Sequence, residues 1–207
     1  MPPSGSRFGV SDGSRVTPAK APTLLVIDVQ RAFDDPVWGA RNNPGAEEQV
    51  AALLSSWRAQ QAPIIHVRHR SSSPQGRFRG RQLAFKPQAT PIEGEPVIEK
   101  TVNSAFIGTD LEQRLRGGGV QALVIAGLTT DHCCSTTARM AANLGFRVWF
   151  VADATATFER TAPDGGRIDA ATMHRTALAS LSGEFADIVD SEEATTRLAT
   201  AGRRAPA

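Results

Sequence analysis

The chain has 207 residues, 41% of them apolar, and a formal net charge of +2. That is enough sequence for one full core and short for two, and scattered arginines at so low a net charge exclude the dense basic face of a nucleic-acid binder. No apolar run nears the ~20 residues of a membrane span, the opening MPPSGSRFGVSDGSRVTPAK has no secretory apolar core, and two cysteines make no disulfide framework, so a cytoplasmic protein is expected.

Residues 1–20 read as a flexible arm, rich in Gly, Ser and Pro. TLLVIDVQ (23–30) is a continuous apolar run of the kind buried on both faces of a parallel sheet, and predicts the first strand. PGAEEQVAALLSSWRAQ (44–60) predicts a helix, with apolar residues at 46, 50, 53, 54 and 57 and Pro44 near its start. APIIHVRH (62–69) reads as the second strand. Residues 70–94 are long, basic and turn-rich, which in a compact domain marks a functional or disordered segment. EPVIEK (95–100) predicts a third strand, and GTDLEQRLRGGG (108–119) a short helix stopped by its glycines. ALVIAGL (122–128) is the fourth strand and DHCCSTTARMAANLG (131–145) an Ala-rich helix ending at Gly145. FRVWFVADA (146–154), a helix over 167–183 and FADIVD (185–190) complete the series, and 196–207 read as a flexible tail. Strands alternating with helices predict one α/β domain over 21–195, a mainly parallel sheet between two helical layers.

In such a sheet, ligands bind at the carboxyl ends of the strands. Asp28 ends the first strand, Lys100 the third, and Cys133 follows the fourth by a tight turn. Taken singly they read as an ion-pair partner, a solvated charge and a small core residue. Together at one sheet edge they suit nucleophilic chemistry. A thiol near its reference pKa of ~8.5 is mostly protonated at neutral pH. A helix amino terminus and a nearby cation favour the thiolate. A carboxylate can take the thiol proton and return it to a leaving amine, while a lysine holds that carboxylate. The first helical turn also offers N–H groups to an oxyanion.

LLVIDVQRAF (24–33), VIEKTVNSAF (97–106) and AGLTTDHCCSTTARMAANLGFRVWFVADATATF (126–158) resemble the isochorismatase-like cysteine hydrolase superfamily, over about residues 23–190. The resemblance implies a Rossmann-like, three-layer fold with a six-stranded, mainly parallel sheet. It implies Asp28, Lys100 and Cys133 as the catalytic residues, six residues separating Gly127 from the nucleophile. It also implies a non-proline cis peptide before Thr129, whose N–H would join that of Cys133 in the oxyanion hole. A cysteine at 133 separates the chain from true isochorismatases, which cleave a vinyl ether without it, and points to C–N cleavage through a thioester. Cys134 is expected to pack in the core, with a resolving thiol as the alternative.

Phe33, Trp38, His69, Asn103 and Phe106 are the candidate substrate contacts, though turn duty for Asn103, Ser104 and Phe106 stays open. His66 reads as an interior histidine, His132 as peripheral to the site, and His174 as structural or at a subunit contact. Nicotinamidases of the family bind a divalent metal through an Asp-x-His motif with further histidines. Here His66 and His69 lack the preceding Asp and fall on opposite strand faces, so no metal and no cofactor are expected. The leading expectation is an amidohydrolase for a small amide, lactam, ureido or carbamoyl compound, near the streptothricin-type lactam hydrolases. A metal-dependent nicotinamidase, a non-catalytic binding module and a redox protein using Cys133 and Cys134 are the alternatives. The resemblance also implies a homodimer or homotetramer, with Phe78, Leu83 and Phe85 of the long loop as the expected contact.

Overall fold

The computed structural model describes residues 21–203, so the expectation for 1–20 lies outside the described residues, as do residues 204–207. Among the described residues are eight strands: β1 (Thr23–Ile27), β2 (Ile64–His69), β3 (Val97–Lys100), β4 (Ala122–Leu128), β5 (Arg147–Ala156), β6 (Arg160–Thr161), β7 (Arg167–Ile168) and β8 (Asp187–Val189). The helices are α1 (Ala46–Ala59), α2 (Leu111–Gly117), α3 (Ser135–Asn143), α4 (Ala170–Leu181) and α5 (Ser191–Arg203). Six strands form one sheet in the order β3-β2-β1-β4-β5-β8, every neighbour parallel, while β6 and β7 make a small antiparallel hairpin.

The sheet divides the core in two. Leu24 and Val26 face α1 and α5, packing with Leu53, Trp57, Ala194 and Leu198. Leu25 and Ile27 face the other way, toward Leu111 of α2, Ala138 of α3 and Leu181 of α4. Every residue of β1 and β4 is buried, which explains why their sequences are continuous apolar runs without alternation. All five apolar positions of the predicted α1 stripe are buried.

Two features depart from expectation. The tail expected from residue 196 is helical through Arg203, and Leu198 is buried. The Asp190 carboxylate accepts the Glu193 N–H at 2.7 Å and caps that helix. The stretch expected as one helix from 131 begins instead with a π-helical turn, Thr130–Cys134, and only then becomes α3.

Strand order reverses between β1 and β4, so their connections leave to opposite sides and open a crevice at their carboxyl ends. Gly127 permits the two strands to approach there. Its φ is +126°, and a Cβ at that position would lie 2.0 Å from the Ile27 carbonyl oxygen.

Candidate active site

Asp28 is the first residue past β1 and has φ +52°, a conformation Asp tolerates better than most residues. Its carboxyl is fully buried in the crevice. Lys100 at the end of β3 reaches across with Nζ 2.6 Å from Asp28 Oδ2, 3.2 Å from Cys133 Sγ and 3.3 Å from His69 Nδ1. Cys133 lies in the π-helical turn after β4, the kind of irregular turn frequent at functional sites. Its sulfur, the nearest carboxylate oxygen of Asp28 and a ring nitrogen of His69 all lie within 4.8 Å of one another. The Leu128–Thr129 peptide is cis. The turn is tied down on both flanks: Thr130 Oγ1 pairs with His174 Nδ1 of α4 at 2.9 Å, and Asp131 accepts from Thr157 Oγ1 at 2.5 Å.

Burial raises the pKa of Asp28, with the Lys100 charge opposing it. Burial and the Asp28 charge push the Cys133 thiol up to about 12 against the pull of Lys100. Lys100 is desolvated too, yet Asp28 and Cys133 raise it and it stays an ammonium. Lys100 pulls toward the thiolate as expected, but burial and Asp28 outweigh it and favour the thiol. Asp28 Oδ1 is buried without a hydrogen-bond partner, an acceptor left open in a closed site.

A cavity of about 150 Å³ opens onto the sulfur. Phe33, Trp38, His69 and Asn103 line it as expected, together with Thr129 and Cys133. Asn103 Oδ1 is 3.8 Å from the sulfur. Phe106 does not line it: the ring is buried in the core and stacks on Phe146 at 6.2 Å. Ser104 Oγ accepts the Phe106 N–H, the turn role left open above. Phe78, expected at a subunit interface, lines the cavity instead, against Phe33 at 5.1 Å and His69 at 4.9 Å. Phe85 likewise packs inward on His66. His132 reaches the cavity rim with its side chain 57% exposed. Arg160 also lines the cavity, and nothing in its sequence neighbourhood marks it out.

The site does not fit the metal centre of a nicotinamidase. His66 is buried on the other face of β2, with Nε2 on Glu95 at 2.8 Å. Asp28, His69 and Cys133 could together hold a cation, but the Lys100 ammonium stands in contact distance of all three. Cys134 is buried in the core, and burial raises its thiol well above the usual range. Both thiols are free.

Residues 22–193 match the model of the isochorismatase domain. The isochorismatase family protein YrdC of Bacillus subtilis is 44% identical over 172 residues, covering 82% of this chain and 92% of the relative. A streptothricin hydrolase of Streptomyces noursei is 32% identical over 196 residues, 88% of this chain and 76% of the relative. Among solved structures, an isochorismatase-family protein from Chromobacterium violaceum superposes with a TM-score of 0.85 at 44% identity, covering 89% of this chain and 98% of the other.

Proposed function

Since the chain belongs to the isochorismatase family of hydrolases, we propose that it is a cysteine amidohydrolase cleaving a small amide through a thioester. The observation that carries this reading is the buried chain of contacts from Asp28 through Lys100 to Cys133, with Asp28 Oδ1 unpartnered beside the thiol. In this reading Asp28 takes the proton of Cys133 as sulfur attacks the amide carbon. The backbone amides of Thr129 and Cys133 receive the oxyanion. The C–N bond then breaks as Asp28 returns the proton to the departing nitrogen, leaving an S-acyl enzyme. Water attacks the thioester with Asp28 again as base, and the acid leaves with the sulfur protonated again. Lys100 keeps its charge throughout and holds Asp28 in place.

A thiol held near 12 suits this sequence, because proton transfer and attack are coupled and no free thiolate waits to be oxidised or alkylated. The streptothricin hydrolase relative supports an amide-type bond as the target. The test is a screen of small amides with mass spectrometry of the stopped reaction. An acyl mass on the peptide carrying Cys133 is expected. Amide turnover that survives in Cys133→Ala would refute the proposal.

A further inference from the structure

We infer that His69 is a positioning residue that acts through Lys100: its Nδ1 takes the third proton of the ammonium, and so keeps one N–H aimed at the sulfur of Cys133. This rests on the hydrolase reading above and adds a working member to that site. The reasoning starts from Lys100. An ammonium has three donors and no acceptor, and this one is almost fully buried. Its Nζ contacts Asp28 Oδ2 at 2.6 Å, Cys133 Sγ at 3.2 Å and His69 Nδ1 at 3.3 Å. Each donor thus has one acceptor. A buried donor left without one is costly, so the three acceptors together fix the rotation of the ammonium. Without His69 the third N–H would compete for Asp28, and the N–H on the sulfur would turn away.

The same count sets the state of the ring. Lys100 can only donate, so Nδ1 is the nitrogen with the free lone pair, and the ring proton of His69 sits on Nε2. Burial and the Lys100 charge both lower the His69 pKa, which keeps the ring neutral at pH 7.

The fold holds His69 for this role. His69 and Lys100 are register partners on β2 and β3, so their side chains rise on one face of the sheet edge. The buried Gln30 clamps the His69 main chain. Its Oε1 accepts the His69 N–H at 2.8 Å, and its Nε2 donates to the His69 carbonyl at 3.0 Å. Phe78 meets the imidazole edge-on at 4.9 Å. Main chain and ring are both supported, as a side chain that must present one nitrogen at a fixed point requires. In the proposed reaction negative charge builds on sulfur as Asp28 takes its proton, and an N–H on that sulfur strengthens with the charge. The effect of His69 is therefore on rate and not on substrate binding.

Two variants test this. His69→Phe keeps a flat ring against Phe78 and removes the acceptor. His69→Asn returns an acceptor, since its amide oxygen is bonded to Cγ as Nδ1 is. Iodoacetamide reads the sulfur directly and needs no substrate; a Cys134→Val background leaves Cys133 as the single thiol. At pH 8 alkylation should slow about 10-fold in His69→Phe, the low end for a hydrogen bond to a charged group, and His69→Asn should recover most of that loss. For an amide turned over in the screen above, kcat should fall about 10- to 100-fold in His69→Phe with KM little changed. Nitrogen NMR of the unaltered protein at pH 7.5 should show His69 protonated at Nε2 and bare at Nδ1, which answers the question should the variants fail to fold. A proton on Nδ1, alkylation indifferent to His69→Phe, or a loss confined to KM that asparagine does not relieve would overturn the assignment. The expected tautomer and alkylation pattern in a protein that hydrolyses no amide would sink the hydrolase reading and leave His69 standing. Amide turnover with a kcat indifferent to His69→Phe would do the reverse.

Discussion

At the residue scale, the raised thiol of Cys133 makes an unusual pair of outcomes for Asp28→Asn. Asp28 is the proposed base, so hydrolysis should fall at least ~10²-fold. With burial, its negative charge and its hydrogen bond also hold the thiol up. Removing it leaves Lys100 pulling the other way, so alkylation of Cys133 by iodoacetamide at pH 8 should become faster as catalysis is lost. In the unaltered protein the alkylation rate should keep rising past pH 9. A plateau near pH 7 would contradict the buried-thiol geometry. Cys134→Val should retain most activity, since its sulfur is buried in the core and lies off the cavity. The residues of the pair Asp28 and Lys100 were legible in the sequence because each ends a strand pattern. Their protonation was not, because it depends on the depth of burial, which a motif does not encode.

At the scale of elements, the turn after β4 concentrates what sequence reading could and could not reach. The apolar run 122–128 and the spacing from Gly127 to Cys133 pointed to Cys133, the proposed nucleophile. The π-helical form of the turn was missed because Ala-rich composition suits an α-helix equally well. Its ties to His174 and Thr157 come from residues 44 and 26 positions away. Phe106 was misplaced for a similar reason: an aromatic after a strand that ends at the site can point to the cavity or to the core, and only packing against Phe146 decides. The helix α5 had a usable signal in Asp190 followed by Glu192 and Glu193, with Ala194 and Leu198 four apart. Gly127 is the position where backbone shape is most tightly specified. Gly127→Ala should cost at least about 3 kcal/mol in chemical denaturation, since both the positive φ and the 2.0 Å approach to Ile27 oppose a side chain. A loss below 1 kcal/mol would mean that β1 and β4 can part at little cost.

At the scale of the whole molecule, the alternation of apolar runs and helical stripes was enough to give the layer order, because a parallel sheet needs helices on both faces. What holds the long loop to the body was not readable. Lys86 from that loop meets Glu47 of α1 at 2.8 Å, and Glu47 also accepts two bonds from Arg41. Burial opposes the charge on Glu47, but Arg41 and Lys86 prevail and hold its pKa down to about 2 from 4.5. The folded value is the lower one, so the stabilisation is complete above about pH 4.5 and is lost as pH falls toward 2. Glu47→Gln should lower stability at pH 7 by about 3 kcal/mol, because Arg41 loses its carboxylate and Lys86 keeps only Asp34. It should also flatten the decline between pH 5 and 2, which denaturant titrations at pH 7, 4 and 3 would reveal. An unchanged acid profile would show that Glu47 contributes little.

The ammonium of Lys100 sits where three potential ligand atoms converge. A cation supplied by the polypeptide itself has no dissociation constant; its occupancy is fixed at one per chain, whatever the composition of the medium. Deleting it creates a vacancy of the opposite kind. In Lys100→Ala the carboxylate of Asp28, the imidazole of His69 and the sulfur of Cys133 would face one another unopposed, an O, N and S set of the type that binds zinc with a fourth position open. That variant should take up about one equivalent of zinc in dialysis against the metal, with release of the thiol proton. The parent protein should take up none at this position, and zinc uptake by both alike would show that the lysine does not guard the site.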